Sequence, residues 1–148
     1  MKSSEEQLAA RGSARAATLE LAKAMPVSDL FTLLHSPNAE MRTAAVMALS
    51  SRDAIDKGRF AEALLQQLSV EAKLYTKLAI CAALEKEGMV AAAKMAPYLG
   101  KIGHNQHTVV PDSVSKKKSY PLPRDIIARS MARMYPYAAT ILRNIIEN

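Results

Sequence analysis

The feature that most constrains this chain is a nine-residue segment that occurs three times. Residues 41–49 and residues 76–84 align at an offset of 35 residues (76 − 41), with a cation at the second position and small or apolar residues following in step. Residues 123–131 form a third copy 47 residues further on (123 − 76), which is the first spacing plus 12 residues. Self-similarity at such a period is typical of proteins built from stacked supersecondary units.

In each copy the inward-facing residues are predicted to recur at positions i, i+3, i+4, i+7 and i+8. This spacing places them on one face of an α-helix, whereas the residues of a strand would alternate. The inward residues are Met41, Ala44, Ala45, Ala48 and Leu49 in the first copy, Thr76, Ala79, Ile80, Ala83 and Leu84 in the second, and Pro123, Ile126, Ile127, Ser130 and Met131 in the third. Helix-like stretches precede the copies at residues 29–35, 59–68 and 89–101, so the repeated unit is predicted to be a helix pair.

The whole chain, residues 1–148, is predicted to form one domain of about eight helices. A helix at residues 5–25 comes first, followed by repeats at about 27–56, 57–88 and 89–134 and by a helix at residues 136–148; the third repeat carries an inserted loop at residues 103–123. The inward side of the first helix is predicted to carry Ala14, Ala17, Leu21, Ala22 and Met25.

Capping residues separate the helices in this interpretation. Ser36 followed by Pro37 predicts a helix start, because serine caps helix N-termini and proline is tolerated at the first helical position. Gly58 and Gly88 are predicted to mark helix ends, where a glycine commonly closes the last turn.

Residues 36–49 resemble the turn and second helix of a short HEAT repeat, the kind also found in HEAT-like relatives of bilin lyases. The resemblance covers residues 27–134 and implies an all-α fold, an α-α superhelix of the armadillo/HEAT type with about three helix pairs plus flanking helices. Asn38 stands where the family has a turn acid, but Lys73 and Tyr120 replace it in the later copies. The family consists mainly of adaptors and scaffolds, so the resemblance implies binding of a protein or peptide partner.

The composition and the charge distribution limit the function classes. The only cysteine, Cys81, excludes an internal disulfide and lies in an apolar stretch, so we expect it in the core. No apolar run approaches the ~20 residues that span a bilayer, and we expect a cytoplasmic protein with no membrane association. Residues 1–100 carry 12 Lys and Arg against 11 Asp and Glu (+1), and residues 101–148 carry 8 against 3 (+5).

The basic last third contains the predicted partner-binding residues. They are Lys116, Lys117 and Lys118 in the inserted loop, and Arg124, Arg129 and Arg133 on the helix that follows. Such a cluster can attract an acidic protein, phosphate groups or nucleic acid. Tyr120 is the only aromatic residue among these cations, so few rings are present on which bases could stack. A protein partner is therefore favoured. The competing interpretation of the loop is a surface connection without a function of its own.

The cation at the second position of each copy is Arg42, Lys77 and Arg124 in turn. We expect these three to bind carbonyls or acids of the adjoining repeat and so to align the stack, although a basic binding stripe is the alternative.

His104 and His107 share the inserted loop with Asp112, which gives three metal-ligating side chains. A tetrahedral structural site normally uses four ligands at firm spacing, so we expect no metal. The sequence also lacks a phosphate-binding glycine loop, a nucleophile elbow or paired carboxylates in a plausible cleft, and we expect neither a cofactor nor an enzymatic activity.

Three functional hypotheses follow. The first is a non-enzymatic interaction or scaffold module. The second is nucleic-acid or phosphate-ligand binding through the basic third, by analogy with HEAT-like DNA glycosylases. The third, a bilin- or cofactor-related lyase accessory, rests on the resemblance alone. Ile141, Leu142, Ile145 and Ile146 of the last helix additionally predict self-association or a longer repeat array, because no later helix covers them all.

Overall fold

A computed structural model describes residues 3–102 and 125–148 of the chain. Within these ranges the protein contains nine α-helices, one 3-10 turn and no strand, which confirms the all-α prediction. The helices are α1 (Glu5–Ala10), α2 (Ala16–Lys23), α3 (Val27–Leu33), α4 (Ala39–Ser50), α5 (Lys57–Val70), α6 (Leu74–Lys86), α7 (Met89–Met95), α8 (Ile126–Arg133) and α9 (Tyr137–Glu147), and the 3-10 turn at Ala96–Tyr98 follows α7.

The helices pack in two layers. One layer contains α2, α4, α6 and α8 side by side in that order, and the other contains α5, α7 and α9. Between the layers, α3 packs on α4, α5 on α6, and α7 on both α6 and α8. The rings of Phe31 in α3 and Phe60 in α5 meet edge to face, with centroids 6.3 Å apart. The three copies of the repeated segment therefore occupy neighbouring helices, an arrangement compatible with an α-α superhelix.

The core forms where the repeated faces meet. The buried members of the expected inward sets are Ala44, Ala45, Ala48, Leu49, Thr76, Ile80, Ala83, Leu84, Ile127, Ser130 and Met131, while Met41, Ala79 and Ile126 are half-buried. Cys81 is also buried, and burial raises the pKa of its thiol. The hydroxyl of Thr43 donates to Thr76 Oγ1 at 2.9 Å, and the Thr76 hydroxyl donates to the Ala39 carbonyl at 3.4 Å, so both hydroxyls buried between α4 and α6 are satisfied.

The N-terminal stretch differs from its prediction, because two helices replace the single helix expected at residues 5–25. Gly12 has a φ of 92°, and the N–H groups of Gly12 and Ser13 donate to the carbonyls of Ala9 and Leu8 at 2.8 and 2.9 Å. These two backbone hydrogen bonds end α1. The interruption changes which side of the next helix faces inward, so the prediction for Ala17 and Leu21 was wrong and both are exposed; Ala22 is buried, and Ala14 and Met25 pack against the core.

Two predicted helix boundaries were also wrong. Asn38, and not Ser36, is the N-cap of α4, because its side chain accepts from the N–H of Glu40 at 2.9 Å. Gly58 lies in the first turn of α5, whose N-cap is Asp56. Gly88 does separate α6 from α7, with a φ of 61°.

We expect Gly12→Ala to be more destabilising than Gly100→Ala. Both glycines have positive φ values, 92° and 73°, but a Cβ on Gly12 would collide with the Thr76 hydroxyl, whereas a Cβ on Gly100 meets nothing within 4 Å. Backbone strain alone should cost about 1–2 kcal/mol at each position. The collision should add about 1–3 kcal/mol at Gly12. Urea unfolding of the two variants measures the difference, and equal losses would show that the α1–α2 turn does not press on α6.

Candidate functional site

Two buried carboxylates join neighbouring parts of the stack at one end of the α2–α4–α6 layer. Arg42 of α4 binds Glu71, which lies between α5 and α6, with Nε–Oε2 and Nη2–Oε1 distances of 2.8 and 2.7 Å. Arg42 also donates to the carbonyls of Ser36 and Pro37 at 2.7 and 3.2 Å. The Glu71 side chain is fully buried and the Arg42 side chain is 12% exposed, so solvent screens this pair little.

Burial alone would raise the pKa of Glu71. Hydrogen bonds to its carboxylate from Arg42, from the N–H of Lys73 and from the Gln67 amide outweigh that effect, and the pKa of Glu71 is lowered. Each oxygen of Glu71 accepts at least one hydrogen bond, as a buried carboxylate requires.

The second carboxylate, Glu40 at the start of α4, is bound by residues at the start of α2, its neighbour in the layer. Arg15 reaches its two oxygens with Nε and Nη2 at 2.9 and 2.7 Å, and the Thr18 hydroxyl donates to Oε1 at 2.6 Å. The hydrogen bond from Arg15 is the main cause that lowers the pKa of Glu40 to about 2, against the opposing effect of burial. Arg15 thus links α2 to α4 as Arg42 links α4 to the following repeat.

The other predicted stacking cations take different positions. Lys77 is half-buried on α6, and none of the carboxylates in the described ranges forms an ion pair with it. Arg124 lies outside the described residues. The aligned position therefore carries an arginine bound to acid and carbonyls in the first copy, and the contact does not recur at Lys77.

The outward side of the layer of α2, α4, α6 and α8 faces away from the other layer. On this side, three of the helices carry equivalent positions. Met47 of α4, Ala82 of α6 and Arg129 of α8 are related by the repeat offsets of 35 and 47 residues (82 − 47 and 129 − 82). All three are exposed. Ser51, Lys86 and Arg133 are related by the same offsets one turn further along, and Leu78 precedes Ala82 by one turn. We call these seven residues the second-helix surface: Met47, Ser51, Leu78, Ala82, Lys86, Arg129 and Arg133.

A groove of about 380 Å³ runs between α4 and α6 on this surface. Alanines at positions 79, 82 and 83 of α6 leave the space, because their side chains are too short to fill the gap beside Met47. Val46 and Ala83 are buried at its floor, and Lys86 closes one end by donating to the Ser50 carbonyl at 2.6 Å. The groove is therefore mainly apolar, with a cation at one end.

The charge of the second-helix surface rises from α4 to α8. Arg129 and Arg133 lie one turn apart and are both exposed, as the sequence predicted for one side of this helix. Arg133 donates to Glu85 at 3.2 Å, with the arginine side chain 57% exposed. No carboxylate in the described part of the chain pairs with Arg129 or with Lys86. Three cations and two carboxylates, Glu85 and the α8 N-cap Asp125 one turn before Arg129, leave a local charge of +1 (3 − 2) beside the apolar groove.

Several predicted site residues lie outside the described residues: Lys116, Lys117, Lys118, Arg124, His104 and His107. Within residues 3–102 and 125–148, no three His, Cys, Asp or Glu side chains are grouped so that they could hold a metal ion. None of the helices in these ranges combines the length and apolar character needed to cross a bilayer.

The sequence analysis missed both buried acids and the apolar half of the second-helix surface. The sequence did hold a signal for Glu71, because it aligns with Ser36 at the repeat offset of 35 residues. In the structure the two play the same part: Glu71 accepts from the N–H of Lys73 at 2.9 Å, and Ser36 accepts from the N–H of Asn38 at 3.2 Å. Met47 and Leu78 could have been found by extending the repeat alignment to the outward positions. Comparison of the chain with protein-family models, curated proteins and solved structures gave no match.

We expect acid to remove the stabilisation that Glu40 provides. Since its pKa falls from 4.5 unfolded to about 2 folded, this stabilisation is complete above pH 4.5 and is lost as the pH falls toward 2. Glu40→Gln should lower the free energy of unfolding at pH 7 by about 1–3 kcal/mol. Urea unfolding should show that the deficit shrinks near pH 2.

The matched control is Glu62→Gln, because Glu62 is 60% exposed and lies 3.6 Å from Lys94. An exposed pair of this kind is worth under about 1 kcal/mol, so this variant should stay close to the parent protein. A Glu40→Gln deficit that is the same at pH 7 and near pH 2 would contradict the role given to the Arg15–Glu40 pair.

Proposed function

We propose that this protein is a non-enzymatic interaction module that binds a segment of a partner protein on the second-helix surface. The observation that carries the proposal is the apolar groove between α4 and α6, lined by exposed Met47 and by Lys86, with Arg129 exposed on the neighbouring α8. The resemblance of the repeats to HEAT repeats, whose members are mainly adaptors and scaffolds, supports the same function class.

The composition of the second-helix surface is that of a protein interface. Met47 is 43% exposed and Leu78 is 53% exposed, so both present apolar surface to solvent. Interface patches are enriched in methionine and arginine, and their centres are depleted of charge. Here Met47 and Leu78 provide apolar contact, and Arg129 and Arg133 lie at the edge.

Nucleic-acid or phosphate binding is the second candidate, because Arg129 and Arg133 are exposed next to each other. Single-stranded nucleic acid is usually bound by cations together with aromatic rings on which bases stack. The described second-helix surface places Met47 and Leu78 beside its cations instead of rings. A protein partner therefore suits this surface better.

We expect Met47→Lys and Leu78→Lys each to weaken capture of the same partner. The tagged full chain is incubated with lysate of its native cells, and recovered proteins are quantified by mass spectrometry. Loss of a central apolar contact should reduce recovery at least about 10-fold, since hot-spot residues contribute 2 kcal/mol or more.

Val70→Lys is the control, because Val70 is 76% exposed at the end of α5, in the other layer. It makes the same chemical change away from the second-helix surface. Partners recovered equally with all three variants, or nucleic acid recovered in their place, would contradict the proposal.

Association of two copies through α9 also stays a proposal. Ile141 and Leu142 pack against the core of their own chain, but Ile145 and Ile146 are 48% and 84% exposed. We expect sedimentation velocity to show a dimer at high protein concentration and Ile146→Lys to shift the equilibrium toward monomer, since it removes apolar area from the contact. A parent protein that stays monomeric throughout would contradict this contact.

A further inference from the structure

We infer that the partner segment bound on the second-helix surface is an amphipathic α-helix, an inference that rests on the proposed function. This helix carries acidic residues along one flank of its apolar side. The apolar side fills the α4–α6 groove, and the acidic flank faces Arg129 and Arg133. The shape of the groove supports the helix, and the distribution of charge supports the acids.

A helix fits this groove better than an extended peptide. The groove runs along two adjacent helices, so a third helix can lie in it as the next rod of the stack, with apolar residues at i, i+3, i+4 and i+7. An extended peptide would leave its own backbone N–H and C=O groups in contact with alanine and methionine side chains. The polar groups at the end of the groove are already used, because Ser51 donates to the Ala48 carbonyl at 2.7 Å and Lys86 binds the Ser50 carbonyl.

The charges beside the groove require an explanation beyond helix stability. Lys86 and Arg133 belong to the last turns of α6 and α8, where a cation offsets the partial negative charge of the helix end. Arg129 is in the middle of α8, so that effect does not account for it. Among the described residues, Glu85 is the only carboxylate bonded to any of these three cations, which leaves the flank positive and open to an acidic segment.

Two other occupants, residues 103–124 of the same chain and α9 of a second copy, fit the second-helix surface less well. Residues 103–124 contain four Lys and Arg and one Asp, so they repeat the sign of the charge on α8. A second copy of α9 would bring Arg143 together with Glu147 and no net negative charge. A separate acidic partner is the complementary choice.

The test selects helical peptides from a phage-displayed library of randomised peptides of about 16 residues, or four helical turns. The immobilised full chain is the target, and the Met47→Lys protein is used for counter-selection. Enriched peptides should carry apolar residues at i, i+3 or i+4, and i+7, with Asp or Glu along one flank. The best peptide is then synthesised with a fluorescent label, and its Kd is measured by anisotropy.

The Arg129→Glu/Arg133→Glu protein should bind this acidic peptide at least about 10-fold more weakly, because close charge pairs at interfaces couple by more than 1.4 kcal/mol. It should also prefer a peptide in which lysine replaces each acid. Arg129→Glu alone repeats the test without touching the Arg133–Glu85 pair. The control protein, Lys73→Glu/Arg143→Glu, has the same change in net charge at exposed residues elsewhere and should bind as the parent does.

The outcomes separate this inference from the proposed function. Enrichment of uncharged or basic peptides that need Met47 would overturn the acidic partner and leave the interaction module standing. If no enriched peptide depends on Met47, the proposed function fails as well. A labelled 20-nucleotide DNA or RNA strand that binds through Arg129 and Arg133, and is unaffected by Met47→Lys, would overturn both in favour of nucleic-acid binding.

Discussion

The fold depends on how closely α4 packs against its neighbours. It contacts α2 and α6 within its own layer and also packs on α1 and α3, and Ala44, Ala45, Val46, Ala48 and Leu49 are fully buried. Four small or β-branched side chains in that set allow the helix axes to approach closely, and interiors at this density tolerate little change in volume. The positions of α2 and α6 are thereby fixed relative to each other, although they do not follow one another in the chain.

Polar contacts at the two ends of the layer reinforce this packing. At one end, Arg15 binds Glu40, and Arg42 binds Glu71. At the other, Arg52 donates to the carbonyl of Lys23 at 2.6 Å, and a lysine of α6 likewise reaches a carbonyl at the end of α4. Removing one partner of a buried ion pair leaves an uncompensated charge, so these pairs favour one alignment of the helices over alternatives. On the second-helix surface, Lys86 binds the Ser50 carbonyl and Arg133 pairs with Glu85, whereas Met47, Leu78 and Ala82 are exposed.

Periodicity alone was sufficient to predict the all-α fold and the buried faces of α4, α6 and α8, because helical spacing and burial are directly related. It failed at the N-terminus, where one glycine, Gly12, ended a helix in a stretch whose apolar spacing continued. The acids were harder to predict, since Glu40 and Glu71 gain their roles only when distant parts of the chain meet. Of the candidate site, Arg129 and Arg133 followed from charge, whereas the groove depends on how two helices approach each other and has no signature within either one.

The equivalence of Met47, Ala82 and Arg129 holds even though the connections between their helices differ in length by 12 residues. Helix packing, and not chain length, therefore sets the position of each outward side chain. A connection can lengthen or shorten at small entropic expense without moving the helix that follows. Evolution can in this way alter the loops of the protein and its outward face independently, so one family of helix pairs can acquire new contacts while its core stays the same.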